Sequence, residues 1–177
     1  TGEGDYLELG MLDATLPWLT KQAGKVFAGE EPRRMGTKDP VLAPYQQFPT
    51  ADGHVIVAAL NQKLWRDHCT AIDREDLLAD DRFAENADRV EHMDALEAEL
   101  IATFEQRSTD EWMDVLVEAG VPAAPINDVD DALDNEQVRA RNVVQEFDDG
   151  DRTVPVIEHP INYERADSGF ESPPPRL

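Results

Sequence analysis

The sequence predicts a small α+β domain built on a β-hairpin and several helices, preceded by a strand-and-helix segment of a larger unit. Three observations carry that prediction. Residues 43–61 read as an apolar-alternating strand, a tight Asp52-Gly53 turn and a second strand of β-branched residues that runs into a helix opening Asn61-Gln62-Lys63-Leu64-Trp65. Residues 64–119 then repeat apolar side chains at helical spacing. Asp5-Tyr6-Leu7-Glu8-Leu9 alternates as a strand before a helical face begins.

In order, Gly10 ends the first strand, and Met11, Leu12, Thr15, Leu16 and Leu19 fall on one helical face. Pro17 removes a donor and clashes with the preceding turn, so it kinks or restarts that helix. From Ala23 to Pro44 the pattern is lost, and Pro32, Gly36 and Pro40 mark a linker and a domain boundary. In the hairpin, glycine's tolerance of positive φ lets the two strands pair without splaying. The run Val55 to Leu60 is continuously apolar, which implies cover on both faces.

Leu64, Trp65, His68, Cys69 and Ile72 make one helical face, with Asn61 as its cap. Asp73 to Glu85 is a polar connector pinned by Leu77, Leu78 and Phe83. A longer helix turns Val90, Met93, Leu96, Leu100, Ile101 and Phe104 inward. Ser108-Thr109-Asp110-Glu111 matches a capping box; Trp112, Val115, Leu116 and Ala119 form the buried face behind it, and Gly120 with Pro122 stops the helix. Val121 to Ile126 is extended, Asn127 caps a short helix through Leu133, and Glu136 to Arg141 forms another turn or two. Residues 143–147 and 152–157 flank Asp148-Asp149-Gly150-Asp151 as a second hairpin, with Pro155 confining the later strand to an edge.

Composition excludes several function classes. Net charge is −22, from 38 acidic against 16 basic residues, which excludes a nucleic-acid-binding surface with its basic stripe. Helical periodicity argues against disorder. The expectation is a salt-adapted protein whose carboxylate repulsion is screened by molar salt, the alternative being an acidic mesophile protein. No apolar run approaches a membrane span, and the single Cys69 forms no internal disulfide, which fits a reducing cytoplasm. The opening Thr1-Gly2-Glu3-Gly4 turn and closing Pro173-Pro174-Pro175 connector lead us to expect an incomplete chain.

Local motifs for chemistry are few. His54, His68, His92 and His159 show no ligand spacing with one another or with Cys69, so no metal site is expected; His54 is read as solvated, His68 and His92 as lying at a core edge. The three serines Ser108, Ser168 and Ser172 include no nucleophile elbow. Asp67-His68-Cys69 are consecutive on a helix and point in different directions. Gly2-x-Gly4 lacks a third glycine, and Asp128, Asp130 and Asp131 lack the glycine of a calcium loop. Tyr45 and Asn61 remain. A hairpin closed at Asp52-Gly53 brings them to its open end, where a hydroxyl and an amide could orient a polar ligand. The structural alternative is that Tyr45 packs as a core aromatic and Asn61 serves only as a cap.

At this point the chain resembles a known family. Thr1 to Leu9 with Leu12-Asp13-Ala14, Ala43-Pro44-Tyr45, Phe48 to Gly53, Asn61 with Trp65, Asp80 to Phe83 with Arg89, Thr109 with Trp112, and Ala119 to Pro125 are similar, in order and spacing, to class III CoA-transferases. That family includes formyl-CoA transferase, carnitine-CoA transferase and α-methylacyl-CoA racemase. The resemblance implies a C-terminal portion of such an enzyme. It would comprise the end of a Rossmann-like α/β large domain over 1–24, a linker over 25–42, the small α+β domain over 43–122, linker helices over 123–142 and an incomplete return to the large domain over 143–177.

The implied activity moves CoA between an acyl-CoA and a carboxylic acid through an aspartyl intermediate, with the CoA thioester as substrate and no bound cofactor. The nucleophilic aspartate is expected upstream of Thr1, so no residue here is assigned a catalytic role, and the fragment alone is expected to be inactive. Tyr45 and Asn61 are the candidate substrate-binding residues. The full-length protein is expected to be an interlocked homodimer with no nucleic-acid or membrane partner. The glycine-rich loop of formyl-CoA transferase is missing between Gly29 and Tyr45. Asparagine at 61 replaces the carboxylate of the racemase branch and cannot act as its base. Transfer is therefore favoured over racemisation, and a non-catalytic dimerisation or binding module is the rival from another class.

Overall fold

The computed structural model describes residues 4, 6, 8–148, 150, 152–158 and 160. It is a mixed α/β chain with small antiparallel sheets. The strand expected at Asp5–Leu9 falls partly outside the described residues; Tyr6, Glu8 and Leu9 within it form no strand. Helix α1 (Met11–Thr15) gives way at Pro17 to a 3-10 turn (Leu16–Leu19), and α2 (Thr20–Phe27) restarts beyond it. The restart is what a missing donor demands, but α2 continues four residues past Ala23, where the apolar pattern had suggested a linker. None of these residues is buried: Met11 is 85 % exposed, Trp18 88 % and Phe27 87 %.

The hairpin forms as β1 (Tyr45–Pro49) and β2 (His54–Ala58), in register Tyr45↔Ala58 through Pro49↔His54. The pleat sends Gln46 and Phe48 to the core and leaves Tyr45 outward. Its loop has four residues, closed by Thr50 N–H donating to the Gly53 carbonyl at 2.9 Å. Gly53 does not adopt positive φ, contrary to the two-residue turn expected. What favours a glycine is close approach, because a Cβ there would lie 3.1 Å from Thr109 Oγ1 and crowd that hydroxyl.

The apolar run of β2 is explained by a third strand. Residues Ala123–Pro125, expected to be merely extended, form β3 and pair antiparallel with β2. The sheet order β1-β2-β3 makes β2 central. Val55, Val57, Ala58 and Ala59 are buried, whereas Leu60 emerges to 44 % exposure.

Helices α3 (Gln62–Ala71), α4 (Asn86–Glu91), α5 (Met93–Phe104) and α6 (Thr109–Glu118) follow, with 3-10 turns at Glu75–Leu78 and Asp81–Phe83 that bury Leu77 and Phe83. The single long helix expected through Val90 and Phe104 is broken at His92 (φ −102°, ψ 28°), which serves as both cap of α4 and start of α5. The core is a run of rings. Phe48 stacks on Phe104 at 5.1 Å, Trp112 meets Phe104 edge-on at 5.1 Å, and His68 lies between Phe104 (5.9 Å) and Trp65 (5.8 Å).

The capping box is present: Ser108 N–H donates to Glu111 Oε2 at 2.9 Å, and Ser108 Oγ accepts from the Glu111 N–H. Gly120 (φ 68°) ends α6 as a left-handed cap, with Val121 N–H donating to the Leu116 carbonyl at 2.9 Å. Ser108→Ala is expected to lower the free energy of unfolding by about 1 kcal/mol, measured by urea denaturation. An unchanged midpoint would mean that the cap is dispensable.

Beyond β3, α7 (Val129–Asp134) is capped at Asp128 rather than at Asn127. Helix α8 (Glu136–Ala140) follows, its Asn135 side chain accepting from Gln137 N–H. The second hairpin is β4 (Val144–Asp148) with β5 (Thr153–Ile157), turning at Gly150 (φ 86°).

Candidate functional site

The open end of the first hairpin is built from both strand ends. Asp39 N–H donates to the Tyr45 carbonyl at 2.9 Å and Ala59 N–H to the Pro44 carbonyl at 2.9 Å, so the segment leading into β1 and the exit of β2 lie against each other. Tyr45 is 36 % exposed and is not the core aromatic of the structural alternative. Asn61 does cap α3, its Oδ1 accepting from Leu64 N–H at 2.9 Å. The cap uses one oxygen only. Among the described residues, neither the Asn61 Nδ2 group nor the Tyr45 hydroxyl has a hydrogen-bond partner. Both are available at the surface.

Directly beneath is a residue that sequence reasoning did not single out for this role. Arg89 is fully buried and its Nε donates to the Ala43 carbonyl at 2.6 Å. Nη1 donates to the Phe83 carbonyl at 3.1 Å and to Gln62 Oε1 at 3.2 Å, and the guanidinium lies 4.8 Å from the Trp65 ring centre. One planar cation thus holds a residue two before Tyr45 and the residue next to Asn61. Asn86 completes the clamp, accepting from Ala43 N–H at 3.2 Å and donating to the Val41 carbonyl at 2.8 Å. Burial lowers the Arg89 pKa, yet the carbonyls and the ring face stabilise the cation without an ion pair among the described residues. The missed signal is positional: residues 89, 93, 96, 100 and 104 are spaced as one helical stripe, and an arginine on an apolar stripe needs a polar socket.

The segment before β1 and the strand itself are also tied to α5. Lys38 Nζ meets Glu97 at 2.7 Å and Asp94 at 3.0 Å, and Gln46 Nε2 donates to the other Glu97 oxygen at 2.7 Å. These bonds fix the approach of residues 38–46 to the helices.

The remaining candidates resolve as structure. His68, expected at a core edge, lies wholly inside the core; neither ring nitrogen has a partner, and burial pushes its pKa down to about 4. A neutral imidazole among aromatic rings satisfies the packing that its helical position dictates. Burial pushes the Cys69 thiol up to about 12 despite the nearby Arg89, so it is protonated and unsuited to attack. His54 is exposed, as expected, while half-buried His92 has Nδ1 2.9 Å from the Asp88 carbonyl. His159 lies outside the described residues. Among the described residues no three of His, Cys, Asp and Glu are grouped to hold a metal ion, and no helix is long and apolar enough to cross a membrane.

The hairpin-and-helix fold has a solved counterpart. The chain superposes on a CAIB/BAIF family protein from Brucella suis with a TM-score of 0.81 and 33 % identity, over 99 % of this chain and 46 % of that one. The chain belongs to CoA-transferase family III, whose model matches residues 1–177. It is 34 % identical over 145 residues to acetyl-CoA:oxalate CoA-transferase of Acetobacter aceti, covering 81 % of this chain and 37 % of that protein. It is 32 % identical over 164 residues to succinyl-CoA:mesaconate CoA-transferase of Haloarcula hispanica, covering 91 % of this chain and 41 % of that protein. The chain therefore spans about two fifths of the length of these curated relatives.

Proposed function

We propose that this chain is the C-terminal part of an enzyme that moves CoA from an acyl-CoA to a free carboxylate through an aspartyl intermediate. Its nucleophile lies on polypeptide preceding Thr1. Residues 43–125 act as the small domain, its expected end at 122 moved on because β3 (Ala123–Pro125) pairs with β2, and the linker over 25–42 joins it to the end of a large domain at 1–24. Residues 143–177 return toward the large domain after the linker helices over 126–142. The observation that carries this reading is the Arg89 clamp, which presents the unpartnered Tyr45 hydroxyl and Asn61 amide beside the linker in a member of this family. In the proposed role Tyr45 lines the acyl pocket and Asn61 donates to an acyl or carboxylate oxygen. Neither side chain need carry charge to do so. A homodimer gives the apolar side chains of Met11, Trp18 and Phe27 a surface to meet, and we place the protein in the cytoplasm.

The test is an assay of the full-length protein with acyl-CoA donors and dicarboxylate or monocarboxylate acceptors, monitoring the new thioester. Tyr45→Phe and Asn61→Ser, which keeps a capping oxygen for Leu64 N–H but removes the amide, are expected to reduce transfer by about tenfold or more while the melting temperature holds. Turnover by the 177-residue chain alone would overturn the placement of the nucleophile. Inversion at C2 of a 2-methylacyl-CoA without an acceptor would replace transfer by racemisation. The charge of −22 supports salt adaptation. The melting temperature is accordingly expected to rise from dilute buffer to molar potassium chloride, and a fall would refute that adaptation.

A further inference from the structure

We propose that the trough between the linker and the α4–α5 turn is a binding site for a small molecule carrying a terminal oxyanion, carboxylate or phosphate. It is separate from the Tyr45–Asn61 edge and does not rest on the acyl-transfer reading. Two hollows, of about 480 Å³ and 250 Å³, adjoin along shared walls formed by Arg33, Met35 and Pro40. The larger is within the range of small-ligand sites. Val90, Met93 and Ala95 line its far side and suit a short carbon or ring body.

The charges make the case. In a chain with 38 acidic and 16 basic residues, a cation should readily find a carboxylate. Arg74, Arg82, Arg107 and Arg139 each do so, and Lys38 in the trough wall is already neutralised by Asp94 and Glu97. Arg33 and Arg34 do not: among the described residues neither side chain makes a hydrogen bond or ion pair, although Glu30, Glu31 and Glu91 line the same walls; Arg66 and Arg141 are likewise unpaired but line neither hollow. Lys25, lining the smaller hollow, is unpaired in the same sense. Two arginines lining one hollow offer planar forks that match a carboxylate or phosphate bidentately, which a lysine cannot do. The wall carboxylates and the overall negative field oppose anion approach. Salt screens that field, while short bidentate hydrogen bonds persist.

The test is calorimetric titration of the full-length protein with inorganic pyrophosphate and, separately, with succinate, at a potassium chloride concentration that keeps it folded. The expected result is a saturable step with at least one of them that Arg33→Ala/Arg34→Ala weakens about tenfold or more. Arg66→Ala, an exposed arginine lining neither hollow, should leave it unchanged. Saturation by pyrophosphate alone assigns a phosphate ligand, by succinate alone a carboxylate, and by both a general oxyanion site. Absence of saturation below about 10 mM, or equal weakening by Arg66→Ala, overturns the proposal. If the double alanine variant loses its native circular dichroism, Arg33→Lys/Arg34→Lys replaces it. That variant keeps the charge, lacks the forks, and is expected to bind more weakly than wild type.

Discussion

Replacing Arg89 by alanine is expected to cost about 4 kcal/mol of unfolding free energy, a large share of the margin of a small lobe. The substitution opens a cavity over the Trp65 ring and removes the donors that hold the Ala43 and Phe83 carbonyls and Gln62 Oε1. Arg89→Lys should recover little, because one ammonium cannot reach the groups that a guanidinium bridges at fixed angles. The measurement is urea denaturation of the full-length protein and both variants. A loss below about 1 kcal/mol for Arg89→Ala would show that these carbonyls find other partners and that the clamp is not what fixes the hairpin mouth.

The second large effect is a loss of stability on mild acidification that resides in one side chain. His68 is buried without a partner, and its pKa falls from the usual 6.5 to about 4. The unfolded chain therefore binds a proton through a window in which the folded chain does not. Stability is fully present above about pH 6.5 and is lost as pH falls toward 4, by about 3 kcal/mol across the window. Carboxylates held below their usual range, such as Asp39 with its Lys21 and backbone hydrogen bonds, act at lower pH. Neutralising part of the −22 charge works in the opposite direction. Comparison of wild type with His68→Leu isolates the imidazole: the variant's stability should vary less between pH 6.5 and 4. Parallel curves for the two proteins would place the titration elsewhere.

Much of the lobe that holds the candidate site was legible because its signals are local. The Ser108–Glu111 box, the Asn61 cap and the Gly120 stop each satisfy backbone groups within one turn, so the residues that do the work are sequence neighbours. Hairpin periodicity placed Tyr45 and Asn61 at one end for the same reason. The break at His92 was not legible, because apolar spacing continues through it with no proline or glycine to mark it. The capping residue of α7 was misplaced by one position, since Asn127 and Asp128 are both good caps.

From the chain alone came the hairpin, the helix starts and stops, the excess of carboxylates and the family resemblance, all of which depend on neighbours or on order along the sequence. Tertiary structure alone decided that β3 returns to make β2 central, that His68 is sealed among rings, and that Arg89 spends donors on the Ala43 carbonyl and Gln62 Oε1, both far from it in sequence. Those outcomes depend on which surfaces meet across long loops. A buried polar group must take whatever partner the fold brings to it, and no periodicity in the sequence encodes that choice.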